Sequence, residues 1–283
     1  MAQSTPLFAL DPALPVLVRP DGAVQVGWSP RRAVLIRPPR GFTSAGLAAL
    51  LRTMRSPVPM SELRRQADRQ DGAAGAELEG LVAQLIAAGV ATRGPQQRPV
   101  RSASIRVHGR GPLSELLIDS LRCSGARVKQ SSQPHAAVSA AEADLVVLSD
   151  NLVAEPRMLR DLHSQGVAHL AVRVRDGVGL VGPLVIPGVT SCLRCADLHR
   201  RDRDAAWPAV AAQLRDTVGV ADRATLLATA ALALSQVNRV IGAVRGSDAD
   251  RGPPPALNAT LEFDVHAGSI VARHWARHPL CPC

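Results

Sequence analysis

The protein has 283 residues, 46% of them hydrophobic, which is enough chain for a sizeable core and for two domains. The net charge of +9 comes from scattered arginines, while Lys129 is the sole lysine and tyrosine is absent, a composition that disfavours a nucleic-acid-binding surface. The N-terminus lacks a secretory signal pattern, and no uninterrupted run of about 18 apolar residues occurs. We therefore expect a cytoplasmic protein with no membrane partner.

Residues 1–92 are predicted to form a small winged-helix-like α+β domain. The Asp21-Gly22 dipeptide lies between two short β-rich runs, which is typical of a hairpin, and AVLIRPP adds a further strand. Apolar residues at helical spacing follow in TSAGLAALLRTM, MSELRRQA and GAELEGLVAQLIAAGVA. Ser61 is a candidate cap of the second helix, and Gly89 is predicted to end the third.

Residues 93–103 are rich in Pro, Gln and Arg and are predicted to form a linker. In residues 104–283 strands and helices alternate, which predicts a Rossmann-like, doubly wound, mostly parallel sheet with ligands at the carboxyl ends of its strands. A long apolar helix (222–244) and two antiparallel strands follow. The predicted strands of the alternating part are SIRVH, ARVKQ, ADLVVLSD, HLAVRV and VGLVGPLVIPG, and its helices are LSELLIDSLRCSGA and RMLRDLHSQG.

Four of the five cysteines form two tight pairs that lie far apart in sequence. In a reducing compartment such pairs indicate a metal rather than a disulfide, and the CLRC spacing lets two sulfurs converge on one ion. Two histidines, His199 and His278, could replace a terminal thiolate, and two unrelated thiol pairs are the alternative. The predicted ligands of one structural zinc ion are Cys192, Cys195, Cys281 and Cys283.

The stretch HGRGPLS (108–114) follows a predicted strand and opens a helix. Gly109 and Gly111 could let phosphates approach the backbone and the helix N-terminus, and Arg110 could contact an anion. Because the third glycine of a nucleotide-binding loop is missing, a plain strand-to-helix turn is the alternative. Cys123, further along this helix, is expected to be a small buried core residue.

The strand ADLVVLSD ends at Asp150, which is followed by Asn151. A carboxylate at the carboxyl edge of such a sheet is where a ligand and magnesium would be found. The alternative is that Asp150 caps the turn or helix that follows it.

The glycine turn, ADLVVLSDN and GPLVIPGVTSCLRC together resemble the ThiF/MoeB superfamily of ubiquitin-activating-like adenylyltransferases, over about residues 104–283. The resemblance implies a Rossmann-like sheet that binds ATP and magnesium, adenylation of the C-terminus of a peptide or small protein, a homodimer, and zinc held by the four cysteines. It places Gly109 and Gly111 at the nucleotide loop and Asp150 at the magnesium.

This sequence departs from active members of that superfamily. They carry, between the glycine helix and the strand that ends in Asp-Asn, an acidic residue for the ribose, an Asn/Arg pair and a lysine for the phosphates. Here only residues 126–142 intervene, and Lys129 is the sole lysine. Adenylation needs cationic charge at the phosphates, so we expect the fold to persist without the reaction.

The N-terminal module is similar to PqqD-like elements that bind leader peptides along a strand edge. Its arrangement before a degenerate ThiF-like domain resembles the partner proteins of azole-forming cyclodehydratases. These resemblances imply a non-catalytic protein that binds a precursor peptide and presents it to a separate modifying enzyme. The basic residues that would suit an acidic leader are Arg31, Arg32, Arg37 and Arg40.

Two alternatives stay open at the level of sequence. One is an adenylyltransferase with a rebuilt ATP site, which would use Asp150 for magnesium and arginines such as Arg110 or Arg157 for the phosphates. The other is a winged-helix DNA-binding regulator, which requires its helix arginines to face one groove. Those arginines are Arg52, Arg55, Arg64 and Arg65.

Overall fold

The chain divides into two compact units, Met1–Val100 and Arg101–Cys283. Each unit has its own buried apolar core. The structure, a computed structural model, describes residues 6–71, 75–94, 101–133, 138–246 and 252–283.

The first unit contains two small antiparallel sheets and three helices. One sheet has the order β2-β3-β4 and the other the order β5-β1-β6. Its elements are β1 (Leu7–Leu10), β2 (Val16–Val18), β3 (Val24–Val26), β4 (Val34–Ile36), α1 (Ser44–Thr53), β5 (Val58–Pro59), α2 (Met60–Asp71), α3 (Gly75–Ala87) and β6 (Ala91–Gly94).

Local sequence signals explain most of this unit. Gly22 has a φ of 81° in the hairpin between β2 and β3, and Gly89, with a φ of 70°, follows the end of α3. The Thr43 hydroxyl caps α1 by accepting the N–H of Gly46 at 3.0 Å. The prediction that Ser61 caps the second helix is wrong, because α2 already begins at Met60.

The second unit is built on one seven-stranded sheet. The order is β13-β12-β11-β10-β9-β7-β8. Its elements are β7 (Ser104–His108), α4 (Pro112–Cys123), β8 (Arg127–Ser131), β9 (Leu145–Ser149), α5 (Pro156–Ser164), β10 (His169–Arg175), β11 (Val178–Val185), α6 (Leu193–Arg203), α7 (Trp207–Leu214), α8 (Arg223–Arg245), β12 (Ala259–Asp264) and β13 (Ser269–His274).

The sheet is mixed rather than mostly parallel. Strands β8, β7, β9 and β10 pair in parallel, whereas β11, β12 and β13 extend the sheet by antiparallel pairing. Helices α4 and α8 contribute to the core on one face, and α5 and α6 contribute to a second core on the other. The α/β, doubly wound prediction therefore holds for the parallel half, whose carboxyl edge carries the glycine turn.

Helix α8 is the one helix of the described residues that is long and apolar enough to cross a membrane. Its residues Ala233 and Val237 are buried in the core against the sheet. Its length and composition are thus accounted for by packing within the second unit.

Several sequence expectations need correction or cannot be followed. Cys123 is exposed at the end of α4, not buried, because the apolar face of this helix is formed by other residues such as Leu117 and Leu121. Helices α6 and α7 were not predicted. Strand β6 extends into the predicted linker, and residues 95–100 of that linker lie outside the described residues.

Candidate functional site

The structure brings the four paired cysteines together in the second unit. Cys192 is the residue immediately before α6, Cys195 lies in the first turn of that helix, and the other pair arrives from the segment after β13. The four sulfur atoms all lie within 4.8 Å of one another. The Sγ separations are 3.8 Å for Cys192–Cys195, 3.5 Å for Cys192–Cys281 and 3.4 Å for Cys195–Cys283.

These separations fit a tetrahedral ion. Zinc–sulfur bonds of about 2.3 Å place the sulfurs of a four-thiolate site roughly 3.8 Å apart. The two cysteines on α6 are buried and the other two are half-buried, so the group is largely shielded from water. Four thiols leave no open coordination position, so an ion here would stabilise the structure and would not activate water.

The thiols differ in their acidity. Burial raises the pKa of the Cys192 thiol. Burial also acts to raise the pKa of Cys195, but the backbone amides of His278 and Cys192 and the neighbouring thiols outweigh it and lower the pKa to about 7. A thiolate is thus accessible at Cys195, and thiolates are the species that bind metal.

The two histidines considered as substitute ligands have other partners. His278 is buried and its Nε2 lies 2.7 Å from Asp202 Oδ2, while its Nδ1 accepts the N–H of Leu280 at 3.1 Å. His199 contacts the carbonyl of Ala276 through Nε2 at 3.1 Å. These contacts fasten α6 to the segment that carries the second cysteine pair.

The glycine turn lies between β7 and α4, beside the end of β9. Asp150 is buried, and its carboxylate accepts the N–H of Leu113 at 2.9 Å and that of Ser114 at 3.2 Å. The hydroxyl of Ser114 also hydrogen-bonds to Asp150. Asp150 therefore caps α4, the helix before it in sequence, and not the turn or helix that follows it.

The two glycines make room for this arrangement. A Cβ at Gly111 would lie 2.7 Å from Asp150 Oδ1, and one at Gly109 would lie 2.5 Å from the carbonyl oxygen of Ser149. Asp150 itself has a φ of 72°, in the left-handed region, and its backbone N–H donates to Val172. Close approach of the protein's own strand end thus accounts for both glycines.

The position at a helix N-terminus that suits a phosphate is consequently occupied by a carboxylate of the same chain. Of the candidate cations for phosphates, Arg110 is exposed in the turn that precedes α4, whereas Lys129 is exposed on β8 and Arg157 is exposed on α5. Ser149, whose hydroxyl lies 2.9 Å from that of Ser114, was missed by sequence reasoning, because no local pattern marks it.

The first unit contains a groove along strand β4. Strand β4 pairs with β3 on one side and with no other described strand. The groove has a volume of about 400 Å³ and is lined by β4 and α3, including Leu35, Arg37 and Gly80. A Cβ at Gly80 would have no neighbour within 4 Å, and Leu35 is 57% exposed.

Comparison with known proteins shows the fold. No protein-family model and no curated protein matches the chain. A heterocyclase in complex with substrate and cofactor matches at a TM-score of 0.68 and 14% identity, over 98% of this chain and 39% of that one. The heterocyclase TruD matches at 0.68 and 15%, over 98% of this chain and 42% of that one.

Escherichia coli MccB, crystallised with ATP, matches at a TM-score of 0.60 and 12% identity, over 98% of this chain and 99% of that chain. The present chain thus spans about two fifths of the heterocyclase chains and nearly all of MccB. At these identities the similarity defines architecture and not activity. The chain therefore shares its overall fold with the heterocyclase and MccB structures.

Proposed function

We propose that this protein is a non-catalytic member of the ThiF-like fold that binds a precursor peptide and presents it to a separate modifying enzyme. The observation that carries the proposal is the carboxylate of Asp150 at the N-terminus of α4. An anion already bound there repels phosphates and uses the amides that would bind them. A chain with this arrangement keeps the fold and lacks the means for adenylation.

The groove along β4 supports the peptide-binding part of the proposal. An edge strand offers unpaired backbone N–H and C=O groups to an extended peptide, and neighbouring side chains select among sequences. Exposed Leu35 supplies an apolar contact, and Arg37 supplies positive charge for an acidic peptide. Three further exposed arginines, Arg31, Arg32 and Arg40, lie close in sequence to this strand.

Gly80 allows this assignment to be tested without damage to the fold. Its position within α3 and the open space around a Cβ mean that Gly80→Trp fills the groove, whereas Gly80→Ala adds one methyl group. Alanine should stabilise α3 by up to about 1 kcal/mol. We expect acidic peptides selected on the parent from a random 15-residue library to bind the alanine variant equally well and the tryptophan variant at least tenfold more weakly.

Equal affinity for both Gly80 variants, with unchanged circular dichroism, would rule out this groove as the peptide site.

The role of the four cysteines is separate. We propose that they hold one structural zinc ion, which fixes the start of α6.

One observation favours a second candidate function. The match to MccB covers nearly the whole of both chains, and that protein was crystallised with ATP. An ATP-dependent adenylyltransferase with phosphates bound away from α4 would exchange pyrophosphate into ATP in the presence of its acceptor. The proposal above predicts no exchange with any peptide that binds the groove, and exchange at an enzymatic rate would replace it.

The DNA-binding alternative receives less support from the first unit. Arg64 pairs with Glu79, and Arg65 pairs with Glu62. Arg52 donates to the carbonyl of Val16 at 3.0 Å. Arginines with internal partners are poorly disposed to contact one DNA groove.

A further inference from the structure

The second unit contains an arginine-lined cavity that neither the cysteine cluster nor the glycine turn explains. It has a volume of about 380 Å³ and lies between α6 and the antiparallel part of the sheet. Glu262 pairs with Leu180 in the sheet register, and Leu180 with Arg173, so these three residues form a row across three strands. The charged lining residues are Arg173, Arg175, Arg200, Arg203, Arg273, Asp197, Asp204 and Glu262.

Three of the five arginines are matched by acids of the same cavity. Arg273 Nε lies 2.5 Å and Arg175 Nη2 3.6 Å from the carboxylate of Glu262. Arg200 Nη1 lies 2.7 Å from Asp197 Oδ1. These pairs neutralise much of the lining, so a further anion must be recognised by a different cation.

Arg173 is that cation. It is 7% exposed, and among the residues that the structure describes its side chain makes no hydrogen bond and no ion pair closer than 4.0 Å. Burial lowers the pKa of its guanidinium to about 10; the nearby Arg200 adds to this effect, and the negative charge of Asp197 opposes it. A buried cation without a partner is costly, and natural proteins rarely retain one without a use for it.

Two tryptophans form part of the cavity wall. The Arg200 guanidinium carbon lies 5.2 Å from the ring centroid of Trp207 and 5.1 Å from that of Trp275, so the cation stacks between indoles. The indole N–H of Trp207 is buried and has no acceptor in the described part of the chain. The cavity thus combines apolar walls with two hydrogen-bond donors that have no acceptor among the described residues, the Arg173 guanidinium and the Trp207 indole N–H.

We propose that this cavity binds a carboxylate attached to an apolar group, with Arg173 as the charged donor. Five arginines against three acids leave an excess of two positive charges, so the lining attracts an anion. The indole and leucine side chains of the wall favour an anion that carries an apolar group. Leucines 152, 180 and 214 provide apolar contacts for the remainder of the ligand.

The test uses the full chain and a matched pair of probes. N-acetyl-leucine carries a carboxylate and a branched apolar side chain, and N-acetyl-leucinamide is its neutral counterpart. Calorimetry is expected to show binding of the acid and none of the amide. Arg173→Met should raise the Kd of the acid at least tenfold, because a charge-assisted hydrogen bond is lost. Arg122→Met, at an exposed site on α4, is the control and should leave Kd unchanged.

A second readout separates a binding role from a structural one. Replacing an unpartnered buried cation with an apolar residue of similar length should raise the thermal midpoint, whereas replacing a structural arginine lowers it. Arg173→Met is therefore expected to be more stable than the parent protein. A less stable or unfolded Arg173→Met would contradict the unpartnered state of this arginine.

The remaining outcomes are equally decisive. Absence of N-acetyl-leucine binding at millimolar concentration, or binding that survives in Arg173→Met, would overturn the proposal. Inorganic phosphate binding that depends on Arg173, without carboxylate binding, would overturn the carboxylate assignment. Arg200→Met provides a second binding test, and it should weaken N-acetyl-leucine binding because Arg200 orders both indoles.

Discussion

The cysteine cluster and the N-terminus of α4 both carry sequence patterns of ligand sites, yet they differ in what completes them. At the cluster, four thiols from two distant segments converge at the spacing of a tetrahedral ion. At the helix, the amides that could bind a phosphate donate instead to the carboxylate of Asp150. On our proposal the first site takes an ion from outside, whereas the second is completed by the chain itself.

Our proposal is that the fold keeps a structural metal site while Asp150 closes the N-terminus of α4 to phosphates. Both sites contribute to stability, since each joins segments that are far apart in sequence. Removal of a bound ion should lower stability only through the cysteine cluster. The contribution of the helix terminus should change only when the protein itself is mutated.

The largest expected effect is at the cysteine cluster. Cys192→Ser, or a chelator added to the parent, should lower the free energy of unfolding by about 4 kcal/mol, the stabilisation given by a ligand at about a thousandfold its Kd. The effect should shrink as pH falls, because protons compete with the metal for the thiolates and the parent protein then also loses the stabilisation that the ion provides. Thermal unfolding with and without chelator, together with metal analysis, measures it.

Cys123→Ser is the matched control for this prediction. Cys123 is exposed and lies outside the cluster, so its replacement should change neither metal content nor stability. A Cys192→Ser protein with the stability and metal content of the parent would show that the thiols hold no ion.

The next effect concerns the carboxylate at the helix. Asp150→Ala should lower the free energy of unfolding by about 2 kcal/mol, because the buried amides of Leu113 and Ser114 lose their acceptor. Asp150→Asn keeps an acceptor oxygen and should lose less. Urea unfolding should show the same loss of unfolding free energy in each variant with and without a chelator. A loss that depends on the chelator would mean that the helix terminus and the cysteine cluster are not independent sites.

The smallest effect tests the reason for the glycines. Gly111→Ala should destabilise the protein by about 1 to 2 kcal/mol, because its Cβ would press on the Asp150 carboxylate. The same change in an Asp150→Ala background should cost about 1 kcal/mol less, since the two closest atoms are then gone. A double-mutant cycle without coupling would mean that the glycine at position 111 is required for a reason other than the space that the Asp150 carboxylate occupies.

The extent to which sequence predicted these sites follows from how local each signal is. The CLRC spacing is typical of a metal-binding pair, and together with the second pair of cysteines it predicted the convergence of the four thiols that the structure shows. The role of Asp150 was not, because it depends on β9 lying next to β7, which brings residue 150 to amides 37 residues earlier in the chain. Sequence placed this side chain at the carboxyl edge of the sheet, and the alternative that it caps the turn or helix after it is wrong, because it caps α4; its predicted contact with magnesium stays a prediction.

Elements with weak or polar patterns were also missed. Helix α6 is rich in arginine and begins within a cysteine motif, so no apolar period marks it. Strand β1 pairs with β6, across more than 80 residues of sequence, and short strands of this kind take their stability from partners that a local pattern does not show.

The central proposal is that the N-terminus of α4 binds the chain's own Asp150 carboxylate and not the phosphates of a nucleotide. Calorimetry of ATP and magnesium against the parent protein, beside Asp150→Ala, tests it most directly. We predict no binding to the parent at millimolar ATP. Tight magnesium-dependent binding to the parent that is lost in Asp150→Ala would contradict the claim, because Asp150 would then serve the nucleotide and not the helix.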